Sequence, residues 1–442
     1  MVKKSLELYN VLVKKYLVFV PVVFLFFRPP AGGLDIYRGI DTGIAGYFNE
    51  IYGANTNRDR GAFPLLNIPM GGRAAGLASA FTAVADDASF LESNPAGSAR
   101  LRHPELAFFH SNWFAENMAG TMVEGLVFTG RIGNLGLAAG GKWLSTPVVE
   151  YNYSNVRLST RYYSEAAGIL NGAYNFSLGP RFSGISVGAN LKGAFRIVPG
   201  DDYDEHFSSV IMADLGALSS FNLLKFYESP EWNSSLGLAL RNLGPPSGDE
   251  ALPSHAVLGL AYKPLASLLF SLDLFLPFNM RDIKQSGKPY FSTGLEFARG
   301  AFPSLRGGLQ LKTGSLRLAL GSTLRLFGEE PRQQQASKNA VFRSLNVDLD
   351  YSRELLSPEQ PLNRLGLGIR AGLGKRETGR LEALYTEGLE AYTRGDYPAA
   401  RRRWEEALEL NPKFRPASEA LAMLEETLAA GSRVDEFLET EF

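Results

Sequence analysis

Beyond Pro104 the chain alternates apolar and polar side chains with a period of two, segment after segment. In 315–326 one face carries Leu316, Leu318, Leu320, Leu324 and Leu326, and the other Arg317, Ala319, Gly321, Thr323 and Arg325. In 345–352 Leu345, Val347, Leu349 and Tyr351 oppose Asn346, Asp348, Asp350 and Ser352. In 365–374 Leu365, Leu367, Ile369, Ala371 and Leu373 oppose Gly366, Gly368, Arg370, Gly372 and Gly374. Such a period belongs to strands and not to helices. About fourteen such segments follow, centred near Phe108, Leu126, Leu137, Gly172, Ala189, Leu215, Leu238, Leu260, Leu272, Leu295, Leu309, Leu320, Leu349 and Leu367. Each approaches the roughly 9–11 residues that a tilted strand needs to cross a bilayer. An even number of alternating strands predicts a closed antiparallel barrel, which leaves no edge facing lipid.

A soluble sandwich or lipocalin-like barrel is the competing reading. Two features favour the membrane. Aromatic residues gather near segment ends, among them Trp113, Trp143, Tyr162, Phe221, Trp232, Phe278 and Tyr290, as an interfacial girdle requires. The polar faces hold charges of both signs, such as Lys142, Asp214, Arg241, Asp273, Glu296 and Lys312, which suits a polar lumen and not a sandwich core. A net charge of -1 argues against a nucleic-acid partner. With no cysteine and only four scattered histidines (His103, His110, His206, His255), no metal site, cofactor or catalytic triad is expected.

In chain order, a basic start (Lys3, Lys4, Lys14, Lys15), an apolar run over 16–27 and a Pro/Ala/Gly exit predict a signal peptide over 1–31. An uncleaved inner-membrane anchor is the alternative. Residues 32–103 are read as a hatch or plug, with loop or short helix over 34–70 and a helix over 75–84. Residues 104–375 form the barrel. Longer polar connections at 146–161, 199–207, 222–233, 244–253 and 328–343 alternate with short ones, the asymmetry of long outer loops and short periplasmic turns.

After Gly374 the pattern turns helical, with a break at Gly395-Asp396-Tyr397-Pro398. Gly388, Tyr392, Tyr397, Ala400, Trp404, Ala407 and Pro412 stand at spacings that resemble one tetratricopeptide repeat, with a third helix over 416–429 as its cap. One repeat buries too little surface to stand alone, so the unit 376–431 is expected to dock on the barrel, self-associate or bind a periplasmic protein. A plain helical hairpin is the bland reading, and 432–442 is read as a tail.

The distinctive stretch is 71–97, GGRAAGLASAFTAVADDASFLESNPAG. It resembles the N-terminal signature shared by PorV/PorQ-type proteins and uncharacterised spirochaetal outer-membrane proteins, all similar to the FadL long-chain fatty-acid transporters. Ala85-Asp86-Asp87-Ala88 and Asn94-Pro95-Ala96 are the parts closest to FadL, and Arg241-Asn242-Leu243-Gly244-Pro245 resembles a recurrent spirochaetal segment. The resemblance implies a fourteen-strand outer-membrane barrel plugged by an N-terminal hatch. It would admit a fatty acid or similar hydrophobic ligand and release it laterally or past the hatch. A PorV-like scaffold for secreted or envelope proteins is the alternative function, and an enzyme reading finds no nucleophile and base set.

The hatch candidates are Gly71, Gly72, Arg73, Asp86, Asp87, Asn94 and Pro95. Asp86 and Asp87 could tie the hatch to lumen arginines, or serve as ordinary turn and cap residues. Arg73 could pair with Asp348, Asp350 or a ligand head group. Asn94-Pro95 is a rigid turn joining hatch to barrel. Arg317, Arg325, Asp348, Asp350 and Arg370 are the lumen-facing candidates. The glycines of 71–76 lack the strand and Lys-Ser/Thr of a phosphate loop, and the acidic run 201–205 lacks the glycine and final ligand of a calcium loop.

Overall fold

The computed structural model describes residues 34–36, 63–373 apart from 328–341 and shorter loop segments, and 378–440 apart from 411–413. The predicted signal peptide, the acidic run over 201–204 and Pro412 lie outside the described residues.

Fifteen strands form one sheet: β1 (Leu34–Ile36), β2 (Glu105–Phe114), β3 (Thr121–Ile132), β4 (Leu135–Tyr151), β5 (Arg157–Phe176), β6 (Ile185–Pro199), β7 (Glu205–Phe221), β8 (Ser234–Leu243), β9 (Ser254–Leu265), β10 (Leu268–Phe278), β11 (Tyr290–Phe297), β12 (Ser304–Lys312), β13 (Ser315–Phe327), β14 (Phe342–Glu354) and β15 (Asn363–Leu373). From β2 to β15 each strand pairs antiparallel with its neighbour in sequence, and β15 returns to β2 from Asn363↔Phe114 to Gly372↔Glu105. The barrel is therefore closed with fourteen strands. Each of the fourteen predicted centres falls inside one of them.

The alternation sorts side chains in the reverse of a soluble barrel. Leu170 and Leu320 are each 61% exposed on the outside, while Asp348 is 0% and Lys192 4% exposed within. Leu191, Leu215, Leu238, Leu260, Leu272, Leu295 and Leu349 continue the outer apolar belt. Such a belt is stable against lipid hydrocarbon and unstable against water.

Wall height is uneven. β2 and β8 have 10 residues, whereas β4 to β7 have 15 to 20. β4 outruns β3 after Ser145, and its bare edge at Val148–Glu150 is taken by β1 in parallel. The stretch expected to be loop or short helix thus contributes a strand, because an unpaired edge recruits any extended segment.

With an even strand count, the start of β2 and the end of β15 share one rim, where Leu373 N–H donates to the Pro104 carbonyl (2.7 Å). We call this the near rim and the opposite one the far rim. The connections β7–β8 and β13–β14 both fall on the near rim, which corrects the expected segregation of long loops from short turns. Most of the predicted loop over 146–161 is paired strand, with Thr146↔Tyr163 and Val149↔Thr160 in register. Thr and Val there favour extended backbone despite the polar neighbours.

Residues 63–101 lie within the lumen. They contain only a 3-10 turn (Pro64–Asn67), helices α1 (Gly72–Gly76) and α2 (Phe90–Ser93), and a 3-10 helix (Pro95–Arg100). The helix expected over 75–84 is absent: Ala78 and Ser79 adopt left-handed φ of 52° and 69°, which a helix does not allow.

After the barrel come α3 (Thr378–Thr393), α4 (Tyr397–Leu410) and α5 (Arg415–Thr440). Ala400, Trp404 and Ala407 of α4 are buried with Leu381, Leu384 and Ala391 of α3 and Ala417, Ala420 and Leu424 of α5. A side chain at Gly388 would begin 2.2 Å from Trp404 Nε1, which donates to the Tyr385 carbonyl (3.1 Å). The Tyr392 and Tyr397 rings lie 5.4 Å apart in the same cluster. The segment read as a tail from 432 is helical as far as Thr440, since Val434, Phe437 and Leu438 keep helical spacing.

The belt yields a first prediction. Leu320→Arg should destabilise the folded barrel in vesicles by about 2–4 kcal/mol, and Phe207→Arg, close to the far rim, by about 0–1 kcal/mol. Urea titration of the two variants in the same lipid measures both.

Candidate functional site

A chain segment with little regular structure must still pair its buried backbone N–H and C=O groups. In the hatch local turns pair many of these groups, and the barrel wall supplies partners for others. Asp273 accepts from the amides of Phe81 (3.0 Å) and Thr82 (2.9 Å), and Asp350 from that of Gly72 (3.0 Å). Glu105 accepts from Ala88 (2.8 Å) and Glu165 from Leu65 (2.7 Å). In the other direction, Lys142 donates to the Ile68 carbonyl (2.7 Å), Asn190 to Leu91 (2.9 Å), Arg241 to Glu92 (3.0 Å) and Ser235 to Ala83 (2.6 Å). The charged lumen is therefore the hatch's hydrogen-bonding complement.

Close approach is made possible by glycines on the inner wall. A Cβ at Gly216 would lie 2.1 Å from Asn94 Oδ1, at Gly237 2.4 Å from the Thr82 carbonyl oxygen, and at Gly308 2.4 Å from the Leu77 carbonyl carbon. Those three sit on β7, β8 and β12, so the hatch backbone touches strand backbone on several sides. The alternation pattern places these glycines on the lumen face but carries no sign of what they touch.

Toward the near rim an ionic cluster fastens the hatch. Asp348 accepts from Arg370 Nε (2.6 Å) and Arg306 Nη2 (3.1 Å), and Arg370 Nη1 donates to Asp87 of the hatch (2.9 Å). Arg364 lies 3.6 Å from Asp350. The suggested pairing of Arg73 with Asp348 or Asp350 is not made, because those carboxylates are taken by wall arginines and by Gly72. Arg73 instead donates to Glu296 (2.6 Å), pairs with Asp86 and approaches Asp87 (3.6 Å). Burial opposes the Arg73 charge, yet the carboxylates of Asp86, Glu296 and Asp87 outweigh it and hold its pKa above the ordinary value. Asp86 itself stays largely exposed and meets no wall arginine among its described contacts.

Asn94 joins three layers at once. Its Nδ2 donates to the Thr82 carbonyl (2.9 Å) and to that of Ala217 on β7 (3.0 Å), while Oδ1 caps the amide of Ala96 (3.1 Å). Pro95 opens the 3-10 helix, and its carbonyl accepts from Asn171 (2.9 Å). Gly71, with φ of 142°, brings the chain against Phe109 at the start of α1. Arg325 shares the lumen face of β13 and emerges exposed at the near rim.

Toward the far rim the hatch leaves a small open pocket of about 50 Å³. Leu66, Ile68, Pro69, Ala74 and Glu92 line it from the hatch, and Arg241, Phe275, Tyr290, Gln310, Lys312 and Arg317 from the wall. The Phe275 and Tyr290 rings stack at 4.6 Å, with Arg241 5.3 Å from the first and Lys312 4.7 Å from the second. Of the lumen candidates only Arg317 belongs to it. Arg241 and Lys312 were legible as lumen charges but not as members of one site, because they stand on β8 and β12 and only the curvature of the wall turns both toward the same pocket. Among the described residues no group of three His, Cys, Asp or Glu is placed to hold a metal ion.

Residues 53–328 match the model of the uncharacterised protein family UPF0164. This chain belongs to that family. Similar proteins from Treponema pallidum (strain Nichols), themselves described as UPF0164 proteins, include one 28% identical over 414 residues, covering 84% of this chain and 77% of the relative. Another is 39% identical over 183 residues, covering 40% and 42%. Among solved structures, the chain is similar to the CymD monoaromatic hydrocarbon channel (TM-score 0.47, 12% identity, 69% of this chain and 98% of that one). It is also similar to a Pseudomonas aeruginosa FadL homologue (TM-score 0.42, 10% identity, 69% and 98%).

Loosening the hatch should open the barrel. Asp273→Ala strips two buried amides of a charged acceptor worth about 1.5–3 kcal/mol per bond, and Gly237→Val drives a side chain into the Thr82 carbonyl. Both should raise single-channel conductance in planar bilayers several-fold over the unmodified barrel, whereas Leu238→Val, one residue away on the outer face, should leave it unchanged.

Proposed function

We propose that this barrel conveys amphiphilic anions, long-chain fatty acids among them, across the outer membrane, entering through the far-rim pocket and leaving past or around the hatch. The observation that carries the reading is the pocket's composition. Arg241, Lys312 and Arg317 stand beside the stacked Phe275 and Tyr290 and above the apolar Leu66, Ile68 and Pro69 of the hatch. A neutral hydrocarbon gains nothing from three cations. A carboxylate head on an apolar tail uses both halves, through charge-assisted hydrogen bonds at one end and buried area at the other. In this reading the near rim and the C-terminal helices face the periplasm, and no chemical step is involved.

The adaptor reading rests on a different observation. Leu410, Met423 and Leu428 are exposed on α4 and α5, apolar surface that a periplasmic protein could cover.

Purified protein should carry co-extracted fatty acid by native mass spectrometry. The double variant Lys312→Ala/Arg317→Ala should bind a fluorescent fatty acid at least about tenfold more weakly, the loss of one or more charged hydrogen bonds. Unchanged affinity in that variant overturns the assignment of the pocket. A lipid-free protein whose function is lost on removing 376–442 favours the adaptor.

A further inference from the structure

The near-rim connection between β7 and β8 carries the sequence Asn222-Leu223-Leu224-Lys225-Phe226. Its three apolar side chains are exposed: Leu223 by 50%, Leu224 by 68% and Phe226 by 68%. Loops that face water do not ordinarily gather such residues, and this one holds them out by construction. Asn233 accepts from the Leu223 amide and donates to its carbonyl, both at 2.8 Å, closing the base of the loop. Leu224 takes a left-handed φ of 41°, a strained geometry for a side-chain-bearing residue. The Lys225 ammonium turns back to the Glu231 carbonyl (2.6 Å) and to that of Ser229. The Lys225 charge is thus drawn back to the loop's own carbonyls while Leu223, Leu224 and Phe226 stay exposed.

The direction of the loop is fixed by two bonds to β9. The Phe226 amide donates to the Pro264 carbonyl (3.1 Å), and the Tyr262 hydroxyl donates to the Leu224 carbonyl (3.0 Å). On β9 the buried lumen face is Val257, Gly259 and Ala261, so Tyr262 stands on the outer face with Leu258 and Leu260. The loop accordingly folds over the outside of the wall. Tyr262, which holds the Leu224 carbonyl, pairs across the sheet with the exposed Phe270, and Pro264, which holds Phe226, precedes the exposed Leu265, so the loop joins the near-rim end of the lipid-facing belt.

We infer that the 222–227 loop is a membrane-interface anchor whose Leu223, Leu224 and Phe226 insert among the acyl chains of the near-rim phospholipid leaflet. Continuity with the belt is what commits the occupant to lipid. Amphipathic aromatic and apolar residues at the interface resist both withdrawal into water and deeper immersion. The anchor sets the depth and tilt of the barrel on the β7–β9 side, where the strand wall is of uneven height.

The chain has no cysteine, so single labels can be placed without background. Leu224→Cys and Phe226→Cys, each with a nitroxide, would be reconstituted in phosphatidylcholine vesicles beside Leu238→Cys in the belt and Lys288→Cys in a far-rim loop. The expected result is oxygen accessibility above that of a water-soluble nickel chelate at 224 and 226, as at 238, with the reverse at 288. An aqueous pattern at 224 and 226 overturns the anchor, and so does loss of access to both reagents, which means protein covers the loop. If position 238 also reads as aqueous, the membrane barrel itself fails, and the two failures are told apart.

Discussion

Every other feature of this structure depends on how an irregular chain can be kept inside a barrel without leaving backbone groups unpaired. Between Phe63 and Leu101 the hatch pairs part of its backbone in local turns and short helices, and wall side chains supply partners for groups those turns leave over. Asp273 acts as an acceptor for two consecutive amides, and Lys142, Asn190, Ser235 and Arg241 act as donors to carbonyls. A lumen lined with charge and amide is what such a plug requires, which is why β10 and β14 place carboxylates inside a structure whose exterior is leucine.

The same requirement explains the wall glycines. A hydrogen bond from wall side chain to hatch backbone needs the two surfaces within one side-chain length, and bulk at Gly216, Gly237 or Gly308 would hold them apart. Small residues on the hatch, such as Ala74, Ala75 and Ala83, serve the contact from the other side. Asp348 adds charge pairing, with Arg306 and Arg370 sharing one carboxylate and Arg370 reaching on to Asp87. Removing one partner of that set would leave a buried charge uncompensated, which is costly.

The far half is built differently. There Phe63, Leu65 and Ile68 pack on Trp113, Leu144, Tyr163 and Met212 under the taller wall of β4 to β7, and the opposite side is left to the cationic pocket. The hatch is thus ion-paired to the wall toward the near rim and leaves its pocket toward the far rim.

The sequence by itself determined the barrel. A two-residue period is a property of each strand alone, so strand number, which residues face lipid and which face the lumen all follow from the order of side chains, and Asp348, Asp350, Arg317 and Arg370 could be placed on the inner face. The helical break at Gly395 and the Trp404 and Ala407 spacing were legible for the same local reason. Only the tertiary structure decided the rest. The partners of Arg73, the convergence of Arg241 and Lys312 on one pocket, the Asp87–Arg370 pair 283 positions apart and the strand at Leu34–Ile36 all depend on which segments the fold brings together. Period records which way a side chain faces, but what it faces is set by contacts across the lumen that no local pattern encodes.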